Sequence, residues 1–175
     1  VAARDPDLLK LAKEKGASGI NLGGMCCTAN EILMRHGIPV AGDFLQQELA
    51  IITGAVDAMV VDVQCIMPAL GSLANCFHTK LVTTSVKAHF PANDAVEHIQ
   101  FDEEHALEGA KRIVRTAIEA FPNRKQDKVV IPSEEETSNL IAGFTPENTY
   151  RFLGGRYRAT YRPLNNAIIE GRIRG

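Results

Sequence analysis

No charge of one sign dominates this chain of 175 residues, in which 19 lysines and arginines mix with 21 aspartates and glutamates for a formal net charge of -2. Without a broad basic field there is nothing to track a phosphate backbone, so nucleic acid is not expected as a partner. Long apolar runs are also missing. None approaches the roughly 18 residues of a membrane span, and the opening VAARDPDLLK lacks the apolar stretch of a signal peptide, so a soluble, cytoplasmic protein with no membrane span is expected. There is no internal repeat of a solenoid or propeller. The glycine pairs at Gly23-Gly24 and Gly154-Gly155 do not make a GxGxxG fingerprint, which argues against a dinucleotide. Paired CxxC motifs and an elbow serine are lacking, which leaves a zinc ribbon and a hydrolase triad without support.

What is present is ordinary for a globular domain: 45% hydrophobic and 23% charged residues. The length suits one domain, and residues 1–175 are expected to form a single Rossmann-like α/β unit. The chain starts at Val1 rather than Met and ends on Arg172-Ile173-Arg174-Gly175, which reads as the approach to another strand. A fragment of a longer multidomain chain is therefore expected.

Asp5-Pro6 followed by Leu8, Leu9, Leu11 and Ala12 and closed by Gly16 predicts a helix over about residues 6–15. Short runs rich in β-formers at 18–22, 38–41, 58–61, 80–84 and 98–100 are strand candidates. Helical patterns at 29–35, 44–53 and 68–75 lie among them, and the strongest spans 103–121, where Ala106, Leu107, Ala110, Ile113, Val114, Ala117, Ile118 and Phe121 recur every three or four residues. Residues 123–139 read as a loop or edge excursion, 140–142 as a strand, and helices are expected to open at Thr145-Pro146-Glu147 and to run over 163–170. This alternation predicts an α/β fold with a doubly wound, mainly parallel sheet and helices on both faces.

The four cysteines have no regular spacing, so they do not form a disulfide framework and stand as ligand or redox candidates. Cys26 and Cys27 precede Thr28-Ala29-Asn30-Glu31, which has the pattern of a capping box. That reading sets both thiols just outside a helix N-terminus, where the dipole favours a thiolate, and beyond a strand at 18–22. Cys65 repeats the arrangement after the strand at 58–62, so two turns of one sheet are expected to present thiols at the carboxyl edge, where α/β sheets bind ligands. Taken alone, Cys65 reads equally well as a small buried hydrophobe, and Cys76 reads better as core. His36 and His105 read as structural. His78, His89 and His98 read as solvated or hydrogen-bonded, with no assigned role. Soft thiolates without histidine partners favour iron-sulfur chemistry.

The strings GGMCCTANEILMRHGIP, GDFLQQELAIITGAVDAMVVDVQCIMPAL and NCFHTKLVTTS resemble the central part of anaerobic nickel-iron carbon monoxide dehydrogenases, closely over residues 19–121 and more loosely to Gly175. The separation of 38 positions between Cys27 and Cys65 agrees with that of two cluster ligands in the family. The resemblance implies an oxidoreductase that interconverts CO and water with CO2, two protons and two electrons at a nickel-iron-sulfur C-cluster, with further 4Fe-4S clusters outside this segment. It implies that Cys27 binds the iron outside the cubane, that Cys65 binds a cubane iron, and that Cys26 is the neighbour of Cys27, not ordinarily a ligand but a possible substitute. It further implies a homodimer, a ferredoxin-type electron acceptor, contact with the remaining domains of the chain, and a possible association with acetyl-CoA synthase.

The remaining ligands that the family uses, a histidine upstream and three cysteines downstream, are absent from the sequence, as are its acid-base histidines and lysine. The isolated segment is therefore expected to be inactive and metal-free. A hybrid-cluster protein of the hydroxylamine reductase type and a non-catalytic scaffold domain remain as alternatives.

Overall fold

The computed structural model describes residues 1–131, 145–148, 150–151, 154 and 160–173. By its internal contacts the chain divides into two units, Val1–Thr137 and Ser138–Gly175.

In the first unit, α1 (Pro6–Glu14) starts as its sequence dictates. The Asp5 carboxylate accepts from the Asp7 and Leu8 backbone N–H groups at 3.1 and 3.3 Å, and Pro6 occupies the first turn, where no N–H is needed. The Lys111 ammonium, 2.5 Å from Asp5, holds that carboxyl below its usual range and ties the cap to the long helix.

β1 (Gly24–Met25) leads directly into α2 (Cys26–His36), and β2 (Val40–Gly42) pairs with β1 in parallel. Gly37 closes α2 in the left-handed region at φ 65°, with its N–H bonded to the Leu33 carbonyl at 2.8 Å. A short 3-10 turn at Phe44–Gln46 opens α3 (Gln47–Ile52). β3 (Ala58–Val61), α4 (Leu70–Cys76), β4 (Lys80–Thr83), β5 (Val96–His98) and α5 (Ala106–Ala120) follow.

β3, β4 and β5 form a three-stranded parallel sheet in that order, with Met59 opposite Leu81, Val61 opposite Thr83, and Thr83 opposite His98. One face carries Met59, Val61 and Leu81, which pack with Ile51 of α3 and Leu70 and Ala74 of α4. On the other face Glu97 reaches α5, where it accepts from the Thr116 hydroxyl at 3.2 Å. The apolar stripe of α5 meets α1 through Ile118, Val114, Leu8 and Ala12. The sheet is thus parallel and covered by helices on both faces, as expected.

Three details depart from the sequence reading. Residues 18–22 are not a strand; the chain extends only at β1, two residues later, where it can pair with β2. Among the described residues the strands form two separate parallel sheets rather than one. The strand expected at 98–100 lies at Val96–His98, where Val96 pairs with Leu81 and His98 with Thr83 of β4.

At the amino edge of the three-stranded sheet, Asp57 sits just before β3 and gathers two side chains. Arg124 donates to both of its carboxylate oxygens at 2.9 Å, and His78 Nε2 lies 2.8 Å from Oδ1. The His78 side chain is 1% exposed and that of Asp57 25%. Arg124 also donates to the Ala55 carbonyl and lies 4.9 Å from the Phe121 ring centroid. The segment after α5 is thereby pinned to the sheet, and Val130 N–H bonds to the Thr53 carbonyl at 2.8 Å.

In the second unit, a short turn of helix, α6 (Pro146–Asn148), begins after Thr145, whose hydroxyl accepts from the Asn148 N–H at 3.1 Å. α7 (Arg162–Ile169) has Pro163 in its first turn, as its sequence predicts. The strand expected at 140–142 lies outside the described residues.

Candidate metal-ligand site

Cys26 and Cys27 are the first two residues of α2 rather than residues outside it. The expected capping box does not form. Met25 is the N-cap, with extended backbone and no capping side chain, so Thr28 is already within the first helical turn. Glu31 instead accepts from Arg35 Nε at 2.8 Å, an i,i+4 pair along the helix. The helix starts early because β1 runs straight into it and Gly24 lies hard against it. A Cβ on Gly24 would stand 2.5 Å from Ala29 Cα and 2.8 Å from Ile32 Cδ1.

Cys65 lies in the turn beyond the carboxyl end of β3, and it is exposed. Cys26 is half-buried and Cys27 exposed. Both thiol turns therefore follow the ends of parallel strands, although the strands belong to different sheets. Among the described residues, Cys26 at φ 56° and Cys65 at φ 55° are the only non-glycine positions in the left-handed region. That conformation costs on the order of 1–3 kcal/mol for such a side chain and collects at functional sites.

The two turns are joined by a residue that the sequence reading passed over. Gln47, 6% exposed at the start of α3, donates through Nε2 to the Cys65 carbonyl and to Cys26 Sγ at 3.8 Å, and its Oε1 accepts from the Met67 N–H at 3.1 Å. Nearby, Asp43 and Gln46 form the capping box that Thr28 and Glu31 do not, with the Asp43 N–H bonded to Gln46 Oε1 at 2.7 Å. The D-x-x-Q pattern before the apolar run was the available signal for this helix start.

Burial pushes the Cys26 thiol above its ordinary range, the Gln47 amide works against that rise, and the Cys65, Asp43 and Cys27 groups add to it. At Cys26 the expected lowering by a helix N-terminus is therefore overridden by desolvation. Among the described residues, no three His, Cys, Asp or Glu side chains are grouped so as to hold a metal ion. Thiols are soft donors of the kind that iron-sulfur groups take, and what the structure brings together is the Cys26 thiol and the Cys65 carbonyl on the Gln47 amide.

Cys76 was expected in the core but is exposed at the end of α4, where its thiol lies 3.5 Å from the Ser72 carbonyl of its own helix. Cys76→Ser is expected to shift stability by less than about 0.5 kcal/mol, as surface changes do, and to leave metal content unchanged. A thermal melt with metal analysis of the full-length chain checks this, and a metal content below that of wild type would show that the thiol is a ligand. Of the histidines expected to be solvated or hydrogen-bonded, His78 is buried against Asp57, and His98 Nδ1 lies 2.8 Å from the Thr83 hydroxyl. His105 precedes α5 and pairs with Asp102 at 2.7 Å.

The model of the Prismane/CO dehydrogenase family matches residues 1–175. Carbon monoxide dehydrogenase 1 of Methanosarcina mazei is 57% identical over 174 residues, which is 99% of this chain and 26% of that protein. Carbon monoxide dehydrogenase 1 of Carboxydothermus hydrogenoformans is 50% identical over 166 residues, 94% of this chain and 25% of that one. Among solved structures, the nickel-free carbon monoxide dehydrogenase of Thermococcus sp. AM4 superposes with a TM-score of 0.76 at 52% identity, covering 95% of this chain and 25% of its own. A structure of acetyl-CoA synthase/carbon monoxide dehydrogenase matches with a TM-score of 0.72 at 44% identity, covering 98% of this chain and 25% of that chain. The chain thus spans about a quarter of the length of these relatives. They are carbon monoxide dehydrogenases, so the hybrid-cluster alternative is not supported.

Proposed function

Because the chain belongs to the Prismane/CO dehydrogenase family, we propose that it is a segment of an anaerobic carbon monoxide dehydrogenase, contributing one wall of the site where CO and water become CO2, two protons and two electrons. The observation that carries this reading is the pairing of two left-handed cysteines, Cys26 and Cys65, at the ends of parallel strands and bridged by one buried amide. A fold has no packing reason to hold two cysteines in a conformation that glycine adopts without strain.

In this reading Cys27 holds the iron outside the cubane and Cys65 a cubane iron, with Cys26 beside them as a substitute ligand. When bound, a nickel-iron-sulfur cluster supplies the two-electron chemistry and the Lewis acidity that the reaction needs. The other ligands come from parts of the longer chain beyond this segment, which also carry the additional 4Fe-4S clusters. The homodimer, a ferredoxin-type acceptor and acetyl-CoA synthase are the corresponding partners, and the cytoplasm the corresponding compartment. No helix among the described residues is long and apolar enough to cross a membrane.

The test is to purify the full-length chain anaerobically and measure nickel and iron per chain together with CO-dependent reduction of a low-potential viologen dye. Nickel, iron and rapid dye reduction are expected. A chain loaded with both metals that does not oxidise CO would sink the reading.

A further inference from the structure

The Gln47 amide is fully used. Its two N–H groups serve the Cys65 carbonyl and the Cys26 sulfur, and its oxygen serves the Met67 N–H. Only one orientation satisfies all three, because a carbonyl needs the NH2 end and an N–H needs the oxygen. Gln47 thus clasps both ends of the turn carrying Cys65 while touching the thiol that opens α2. Its own backbone is set by the Asp43–Gln46 capping box and by Ile51, which is fully buried against the sheet. A side chain 6% exposed with all its polar atoms spent on two cysteine turns is poorly explained as packing, since an apolar residue would fill the same space without needing partners.

We propose that Gln47 is a positioning residue for the cluster: it fixes the spacing between the Cys26–Cys27 helix start and the Cys65 turn before metal arrives. The proposal rests on the cluster reading above. It concerns the approach of the two turns, not electron transfer, and Gln47 itself contacts no metal. Partners that orient metal ligands typically account for about 10–100-fold in metal affinity, so their loss is read most directly as lost occupancy.

The experiment uses the full-length chain produced anaerobically as wild type, Gln47→Glu, Gln47→Met and the control Ile51→Val. Gln47→Glu keeps the shape but has no N–H to give the Cys65 carbonyl, and it sets a negative charge against the thiolates. Gln47→Met keeps the bulk and removes every hydrogen bond. Ile51→Val disturbs the same helix without touching the site. Nickel and iron per chain and the electron paramagnetic resonance spectrum of the reduced protein are recorded beside circular dichroism.

Nickel is expected to fall by about tenfold in both Gln47 variants, with the cluster signal lost and the dichroism retained, and to stay at the wild-type level in Ile51→Val. A fall smaller than about threefold in both Gln47 variants overturns the proposal. An equal loss in Ile51→Val also overturns it, because general destabilisation would then be the cause. If wild type itself holds no nickel the cluster reading fails and this proposal with it, whereas a loaded wild type with equally loaded variants sinks the proposal alone.

Discussion

Cys65→Ala in the full-length chain is expected to leave the protein folded but without nickel, and to lower CO oxidation by on the order of 1,000-fold or more, equivalent to about 4 kcal/mol in the barrier. Removing one thiolate from a site whose donors come from separate turns leaves a gap that water does not fill with a soft ligand. The backbone offers a second, independent readout. Because Cys65 sits at φ 55°, alanine inherits the strain and glycine does not. Cys65→Gly is therefore expected to be about 1 kcal/mol more stable than Cys65→Ala in the metal-free chain while being equally inactive. Metal analysis and viologen reduction test the first part, and thermal midpoints of the two metal-free variants test the second. Wild-type nickel in Cys65→Ala would refute the ligand role. A glycine variant less stable than the alanine one would refute the conformational account.

Asp57→Ala is expected to destabilise the first unit by about 1–3 kcal/mol, which is what leaving a part-buried hydrogen-bonding group without its partner costs. The carboxylate answers both Arg124 and the nearly inaccessible His78, and alanine leaves His78 without this partner and Arg124 with the Ala55 carbonyl alone. Arg124 feels the loss most, since its Nε is already buried without a partner among the described residues. Asp57→Asn, which keeps one acceptor oxygen, is expected to fall between. The exposed pair Lys10 and Glu14, 4.0 Å apart, is the control, and Lys10→Ala is expected to change stability by less than about 0.5 kcal/mol. Thermal unfolding of the metal-free chain checks all three, and a loss below about 1 kcal/mol in Asp57→Ala would show that the cluster is not stabilising.

The sequence was legible wherever a local rule decided the outcome. The Asp5-Pro6 start of α1, the three-and-four spacing of α5 and the β-rich runs at β3 and β4 each carry their own signal, and each appears where it was read. Errors arose where a distant partner decided. The apolar run at 18–22 had β character but no strand to pair with, and the chain extends at Gly24–Met25 because β2 is there. Thr28 and Glu31 had the letters of a capping box, yet β1 feeds the helix from Met25 and leaves them inside it. Cys76 looked like core by residue type, but its place at the end of α4 turns it outward.

The candidate site divides in the same way. Cys26, Cys27 and Cys65 could be named as candidates because residue type and position in the chain both lie in the sequence. Gln47 could not, because its significance rests on contacts with residues 18 to 21 positions away along the chain. The Asp57, His78 and Arg124 cluster was hidden for the same reason, its members lying 21 and 67 positions apart.

β3 has one further consequence. Its four residues separate Asp57 at one end from the Cys65 turn beyond the other by roughly 13 Å of extended chain. At that range, with no shared partner, the effects of substitutions at the two ends should simply add. Evolution or an engineer can therefore strengthen the amino end of this sheet to raise heat resistance while leaving the thiol end free to be tuned, because neither change has to be compensated by the other.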